Sequence, residues 1–172
     1  MLSKKEKSSL KLARAGIIAS LYFVLTIAFF PISYGPIQVR ISECLVVLPL
    51  FFSEAVWGLT IGCLIANVFG NGLLDIVFGT LATLLASLLT YYVGKKLKGT
   101  LKIVFGFLPP ILLNAILVPF TFLAIFEIKE LYFISSLQVL IGEGISVCLL
   151  GGIVYFSFSK LKKQQSISFL FG

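Results

Sequence analysis

The chain has 172 residues, 59% of them hydrophobic, and a mean hydropathy of +1.09. That composition excludes an ordinary soluble domain and leaves an integral membrane protein small enough to be one bundle. The formal net charge is +7 with no histidine, which removes the usual metal ligand and the usual neutral-pH proton carrier.

Twelve of the fourteen basic residues fall in three clusters, which is the pattern of loops on one side of a membrane rather than of a nucleic-acid surface. Lys4, Lys5, Lys7, Lys11 and Arg14 form the first, at the start of an apolar run over 10–30. A Lys-rich start before an apolar run resembles a signal peptide. This run continues to about Phe30 with no small-residue cleavage pattern after it, so it is expected to stay as a span. Ala15 and Ala19 make a small-xxx-small pair on it, suited to packing inside the bundle or to an open groove for another membrane protein.

The next two apolar segments, 41–53 and 55–69, are short. At ~1.5 Å per residue they reach roughly 20 Å, against a hydrocarbon core of ~30 Å. Pro49 is expected to kink the first of them. Gly58, Gly62 and Ala66 recur every four residues on the second, a spacing that lets helix backbones approach closely. Trp57, at its start, reads as an interface anchor.

A fourth span covers 72–93, with Asp75, Gly79, Ala82 and Ala86 on one stripe, and Lys95, Lys96, Lys98 and Lys102 follow it. A fifth covers 103–125. Pro109-Pro110 predicts that its helix begins afresh near Pro110, and Pro119 that it bends later. A sixth covers 131–159 and ends in Lys160, Lys162 and Lys163. The apolar tail 166–172 has no physical account. Cys44, Cys63 and Cys148 lack metal-ligand spacing and are expected to be small buried packing residues.

Six spans with both termini in the cytoplasm put all three basic clusters inside. They leave Arg40 and Lys129 as the basic residues of the outer loops 31–40, 70–71 and 126–130. The expected fold is therefore all-α: one polytopic domain over 1–172, a single bundle of six transmembrane helices in the cell membrane.

Polar residues interrupt this apolar background, and ionisable groups in a bilayer default to a functional reading because they are costly there. Arg40 and Glu43, three apart at the outer mouth of the second span, can pair on one helix face, either structurally or lining a pocket. Asn67 and Asn71 lie near the end of the third span. Asp75 sits in the first turn of the fourth, where the helix dipole suits an acid as well as a ligand would. Asn114, Gln138 and Glu143 lie deep. Five residues turn a helix by about 140°, so Gln138 and Glu143 do not share a face. Tyr34, Phe69, Tyr132 and Phe133 at the outer mouth suit an interfacial belt or stacking on a flat ligand. No GxxxxGK[ST] loop, Ser/His/Asp set or HExxH motif occurs, and the carboxylates are dispersed. No enzyme, resident cofactor or metal site is expected.

Val39-Arg-Ile-Ser-Glu43, Leu48-Pro49, the stretch GLTIGCLIAN from Gly58 to Asn67, Gly72-Leu-Leu-Asp75 and Phe78-Gly-Thr-Leu-Ala-Thr83 together resemble the QueT family, over about Leu12 to Lys160. The resemblance implies a substrate-binding S component of an energy-coupling factor (ECF) importer. Its six helices would enclose an outward-facing pocket for a queuosine precursor such as 7-aminomethyl-7-deazaguanine. It also implies a membrane T component and a pair of cytoplasmic ATPases as partners, which hydrolyse the ATP. Ala15-x-x-x-Ala19 resembles the AxxxA element by which S components dock. Arg40, Glu43, Asn67, Asp75, Asn114, Gln138 and Glu143 are the candidate substrate-binding residues. A self-contained secondary transporter or channel for a small cationic or purine-like solute is the alternative, and an intramembrane enzyme is a third.

Overall fold

The computed structural model describes residues 3–34, 38–70, 73–120 and 129–163, and every regular element among them is helical. Asn71, Gly72, the stretch 121–125 of the fifth span, most of the outer loop 126–130 and the tail 166–172 lie outside the described residues.

Helix α1 (Lys4–Ala28) opens with a capping box. The Ser3 hydroxyl accepts from the Glu6 amide at 3.3 Å, and the Glu6 carboxylate accepts from the Ser3 amide at 2.6 Å. A single turn, α2 (Phe30–Ser33), follows. Then come a 3₁₀ helix (Ile41–Leu50), α3 (Ala55–Gly70), α4 (Leu73–Lys96) and α5 (Gly99–Leu117). The chain closes with α6 (Lys129–Gly144), a π-helical stretch (Ile145–Leu150) and α7 (Gly151–Lys163), which run on as one rod. Among the described residues, four segments are long and apolar enough to cross a membrane: Lys5–Ala28, Leu73–Lys96, Gly99–Leu117 and Leu131–Lys163. The 3₁₀ helix and α3 are shorter apolar segments.

The second span is not a kinked α-helix. It is a 3₁₀ helix on the inside of the bundle, buried from Ser42 to Leu50 and packed on α1, α3, α4, α5, the π stretch and α7. A helix that is apolar all round belongs in a core, and Leu45-Val-Val-Leu-Pro-Leu50 is apolar all round. The tighter coil rises about 2.0 Å per residue, so its ten residues span about 20 Å where an α-helix would reach about 15 Å. Pro49 lies within it, near its end.

Around this centre α1 packs on α3, α3 on α4, α4 on α5 and α5 on α6. The α1–α3 contact is close because of two glycines. A Cβ on Gly58 would stand 2.7 Å from the Ala15 carbonyl oxygen, and one on Gly62 would stand 2.7 Å from that of Ala19. The small stripe of α3 thus meets the backbone of α1 at the alanine pair itself. The outer surface carries large apolar side chains such as Leu12, Ile17, Leu64, Leu137 and Leu149, as a lipid-facing surface requires.

α5 does not begin afresh at Pro110; it runs unbroken from Gly99. Pro110 has no N–H for the carbonyl of Gly106, and the Thr90 hydroxyl of α4 donates to that carbonyl instead, at 3.0 Å. The helix is interrupted after Leu117 at Val118 and Pro119, and helical backbone resumes at Phe120; the rest of the expected fifth span lies outside the described residues. Cys44 and Cys63 are buried as expected, but Cys148 is exposed. It follows Ser146 and Val147, which take the inward face of the π stretch, and so points outward. Trp57 is exposed in the first turn of α3.

Candidate functional site

The polar residues of the apolar segments converge where the start of the 3₁₀ helix meets α1, α3 and the rod. Arg40, Glu43, Asn67, Asn114 and Glu143 are all buried, each less than 5% exposed. Arg40 lies within electrostatic reach of Glu43, Asp75 and Glu143, and Glu143 within reach of Glu43. The local backbone explains the grouping. Arg40 is the extended residue that caps the 3₁₀ helix, and Glu43 is in that helix's first turn. Glu143 is the second-last residue of α6, just before the backbone widens into the π stretch. Such a bulge re-aims side chains and is frequent at functional sites.

Arg40 and Glu43 do not form the expected ion pair. Arg40 stands outside the helix, with φ −90° and ψ 107°, rather than one turn below Glu43 on a shared helix face. Its Nε donates to the Ser33 carbonyl at 3.4 Å, and its guanidinium lies over the Tyr34 ring at 5.3 Å. Glu43 Oε1 instead accepts from the hydroxyl of Tyr22, a fully buried side chain of α1. Beside it, the Thr26 hydroxyl contacts Ser42 Oγ at 2.7 Å.

Across the site Asn114 Nδ2 donates to Glu143 Oε1 at 3.1 Å. Asn67 Nδ2 donates to the Asp75 carbonyl at 3.1 Å and to Cys63 Sγ at 3.4 Å, two acceptors that fix the amide's orientation. Gly79 makes room for it, since a Cβ there would stand 2.8 Å from Asn67 Nδ2. Asp75 is half-buried in the first turn of α4. Gln138 is also half-buried, five residues before Glu143 and away from its hydrogen bond, as the helical turn requires. Of the aromatic residues, Tyr34 roofs the site: its hydroxyl donates to the Ala66 carbonyl at 2.9 Å while its ring meets Arg40. Phe69 and Phe133 face outward, each 69% exposed. Ala15 and Ala19 are half-buried on α1, their carbonyls against α3.

Several of these buried groups keep an atom with no hydrogen-bond partner among the described residues: Arg40 Nη2, Glu43 Oε2, Asn67 Oδ1, Glu143 Oε2 and Ser146 Oγ. Buried polar atoms are ordinarily paired, so these orphans mark a candidate site; Arg14 Nη2, Ser33 Oγ, Thr80 Oγ1 and Ser136 Oγ are further buried atoms without a partner among the described residues. The candidate site offers three acceptors, one cationic donor and one hydroxyl. Two buried carboxyl groups, with Asp75 near, outnumber one arginine, so the site suits a ligand with a cation and N–H donors. Tyr22 and Ser146 were not legible as site residues. Tyrosine and serine occur in many spans, and their partners come from other helices.

A helical membrane bundle with charged and amide side chains buried together at its centre is the form of a solute-transport protein. Consistent with that class, residues 12–160 match the family model described as QueT transporter. The chain belongs to this family, which is one of transporters and not of enzymes. The chain is also 37% identical over 82 residues to the queuosine precursor transporter QueT of Lactococcus lactis subsp. cremoris (strain MG1363). The matched stretch covers 46% of this chain and about half, 48%, of that relative. No solved structure matches the chain.

Proposed function

We propose that this chain is the substrate-binding S component of an ECF-type importer and that it takes up a queuosine precursor such as 7-aminomethyl-7-deazaguanine. The observation that carries the ligand class is the set of orphaned atoms on Arg40, Glu43, Asn67 and Glu143, in a site with more carboxylates than cations. The aminomethyl group is a cation near neutral pH and suits a carboxylate. The guanine-like edge offers N–H donors to the second carboxylate and to Asn67 Oδ1. Its carbonyl suits Arg40 Nη2. Asn114 and Tyr22 hold the two carboxylates in place. Asp75 adds negative charge at the mouth, and Gln138 lies at the edge of the set.

In this reading all six apolar segments span the cell membrane, with both termini and the three lysine clusters in the cytoplasm. A T component and two cytoplasmic ATPase subunits supply the work of transport, so this chain needs no cofactor. Ala15 and Ala19 belong to the face that docks on the T component.

Native mass spectrometry of the chain purified from its own host tests the reading. A bound mass equal to the aminomethyl deazaguanine supports it. A different bound solute, or uptake by this chain alone in lipid vesicles, contradicts it.

A further inference from the structure

Glu43 and Glu143 are two carboxyl groups buried in one region of the bundle, 1% and 3% exposed, and each receives one hydrogen bond from a neutral donor. The Tyr22 hydroxyl donates to Glu43 Oε1, and Asn114 Nδ2 donates to Glu143 Oε1 at 3.1 Å. Oε2 of each has no partner among the described residues. Arg40 lies within electrostatic reach of both. Among the described residues, however, no nitrogen–oxygen contact within 4.0 Å joins it to either carboxyl. Its Nε donates to the Ser33 carbonyl instead, and its guanidinium lies over the Tyr34 ring.

Burial and the neighbouring Glu43 both act against a second negative charge at Glu143, and Arg40 acts for it. Tyr22 of α1, Cys63 of α3 and Asp75 of α4 stand around Arg40 and Glu43, and none of them is a cation. From α5 comes the neutral amide of Asn114. Two ionised carboxylates beside one arginine, out of water and without an ion pair, would leave a buried charge unmatched. A carboxyl in that position takes up a proton instead, because one unmet O–H costs far less than a bare charge. Glu43 has the stronger donor, a phenolic hydroxyl, and Glu143 has an amide. The proton therefore belongs on Glu143, at Oε2, the oxygen that Asn114 does not engage.

We propose that the central site binds by exchange: Glu143 holds a proton while the site is empty and releases it to solvent as a cationic ligand arrives. The neutral carboxyl loses H⁺, the ligand's ammonium keeps its three N–H bonds, and the new carboxylate accepts from one of them. This rests on the reading that the ligand carries a cation. A neutral ligand leaves the proton in place, so Glu143 selects for charge without holding a bare carboxylate in the empty bundle. Because one proton leaves for each cation bound, Kd falls as pH rises, by up to about tenfold per pH unit while the ligand stays protonated.

Two measurements on the full chain in detergent test the exchange, one of them without ligand. Infrared spectroscopy of the empty protein at neutral pH separates a protonated carboxyl from a carboxylate by its carbonyl stretch. A protonated band is expected in the wild type, lost in Glu143→Gln and kept in Glu6→Gln, a control that removes an exposed acid from the first turn of α1. The second measurement is calorimetry with 7-aminomethyl-7-deazaguanine at one pH in phosphate and in Tris, whose ionisation enthalpies differ. The buffer dependence of the heat should report about one proton released per ligand bound, and about none for 7-cyano-7-deazaguanine. A wild type without a protonated band, or a band that Glu143→Gln keeps, overturns the proposal. So does binding of the aminomethyl compound with a heat independent of buffer. The wild-type band and proton count need no variant, so a Glu143→Gln protein that fails to fold leaves both tests standing. If neither compound binds, the reading of the ligand fails, and the infrared band alone upholds or overturns the proton on Glu143.

Discussion

Asn114 holds Glu143 by one oxygen: the amide nitrogen meets Oε1 at 3.1 Å, and Oε2 has no partner among the described residues. A residue of α5 thereby aims a buried carboxylate of the rod and leaves its second oxygen unengaged among the described residues. Glu143→Gln should keep the fold but weaken ligand binding by about tenfold or more, since the amide retains only part of a charge-assisted hydrogen bond. Calorimetry on the detergent-solubilised variant measures it. Unchanged affinity in a folded variant would leave Glu143 as a bond between helices and nothing more.

Tyr22→Phe removes the donor that Glu43 Oε1 accepts from. A buried carboxylate oxygen then loses its partner, at a cost of about 1–3 kcal/mol. The variant should melt at a lower temperature than the wild type in the same detergent. Glu43→Gln, tested alongside, should show whether the loss depends on the charge. A Tyr22→Phe protein with wild-type melting would mean that the hydroxyl does not hold Glu43.

Thr90→Val tests how α5 tolerates its prolines. The variant leaves the Gly106 carbonyl without its donor, in the turn where Pro110 has no N–H to offer. Interhelical hydrogen bonds in membranes are worth about 0.6 kcal/mol on average and up to about 1.7 kcal/mol. A melting loss of that order is expected, with ligand affinity unchanged. No loss would show that water or a backbone shift satisfies the carbonyl.

These residues show where sequence reading succeeds and where it stops. α1, α4 and the rod from α6 to α7 were legible because each is a long apolar run with lysines at one end or both. Arg40, Glu43, Asn67, Asn114 and Glu143 stood out because charge and amide are conspicuous among apolar neighbours. The 3₁₀ helix was not legible, since a segment apolar on every side has no period to separate one kind of helix from another. The continuity of α5 through Pro109 and Pro110 depends on Thr90 in a different helix. The pairing of Glu43 with Tyr22 rather than Arg40 likewise depends on tertiary contact.

Gly58→Leu and Gly62→Leu should destabilise the isolated protein, because the added side chain meets a backbone carbonyl of α1 that cannot swing away. Overpacking of this kind costs about 1–3 kcal/mol. Gly16→Leu is the control, since nothing lies within 4 Å of a Cβ there. Ala15→Trp and Ala19→Trp separate packing from docking. If those alanines serve a T component, both variants keep melting temperature and ligand affinity but no longer co-purify with the partners. A large fall in melting temperature, or undiminished co-purification, would confine the pair to the α1–α3 contact.

The most direct test of the central site is a calorimetric titration of the purified full chain with 7-aminomethyl-7-deazaguanine and with its neutral relative, 7-cyano-7-deazaguanine. The account predicts saturable one-site binding of the aminomethyl compound. The cyano compound should bind about tenfold more weakly or worse, because it has no cation to meet the excess carboxylate charge. The preference should vanish in the double variant Glu43→Gln with Glu143→Gln. No binding of either compound, or an equal preference in that variant, would contradict it.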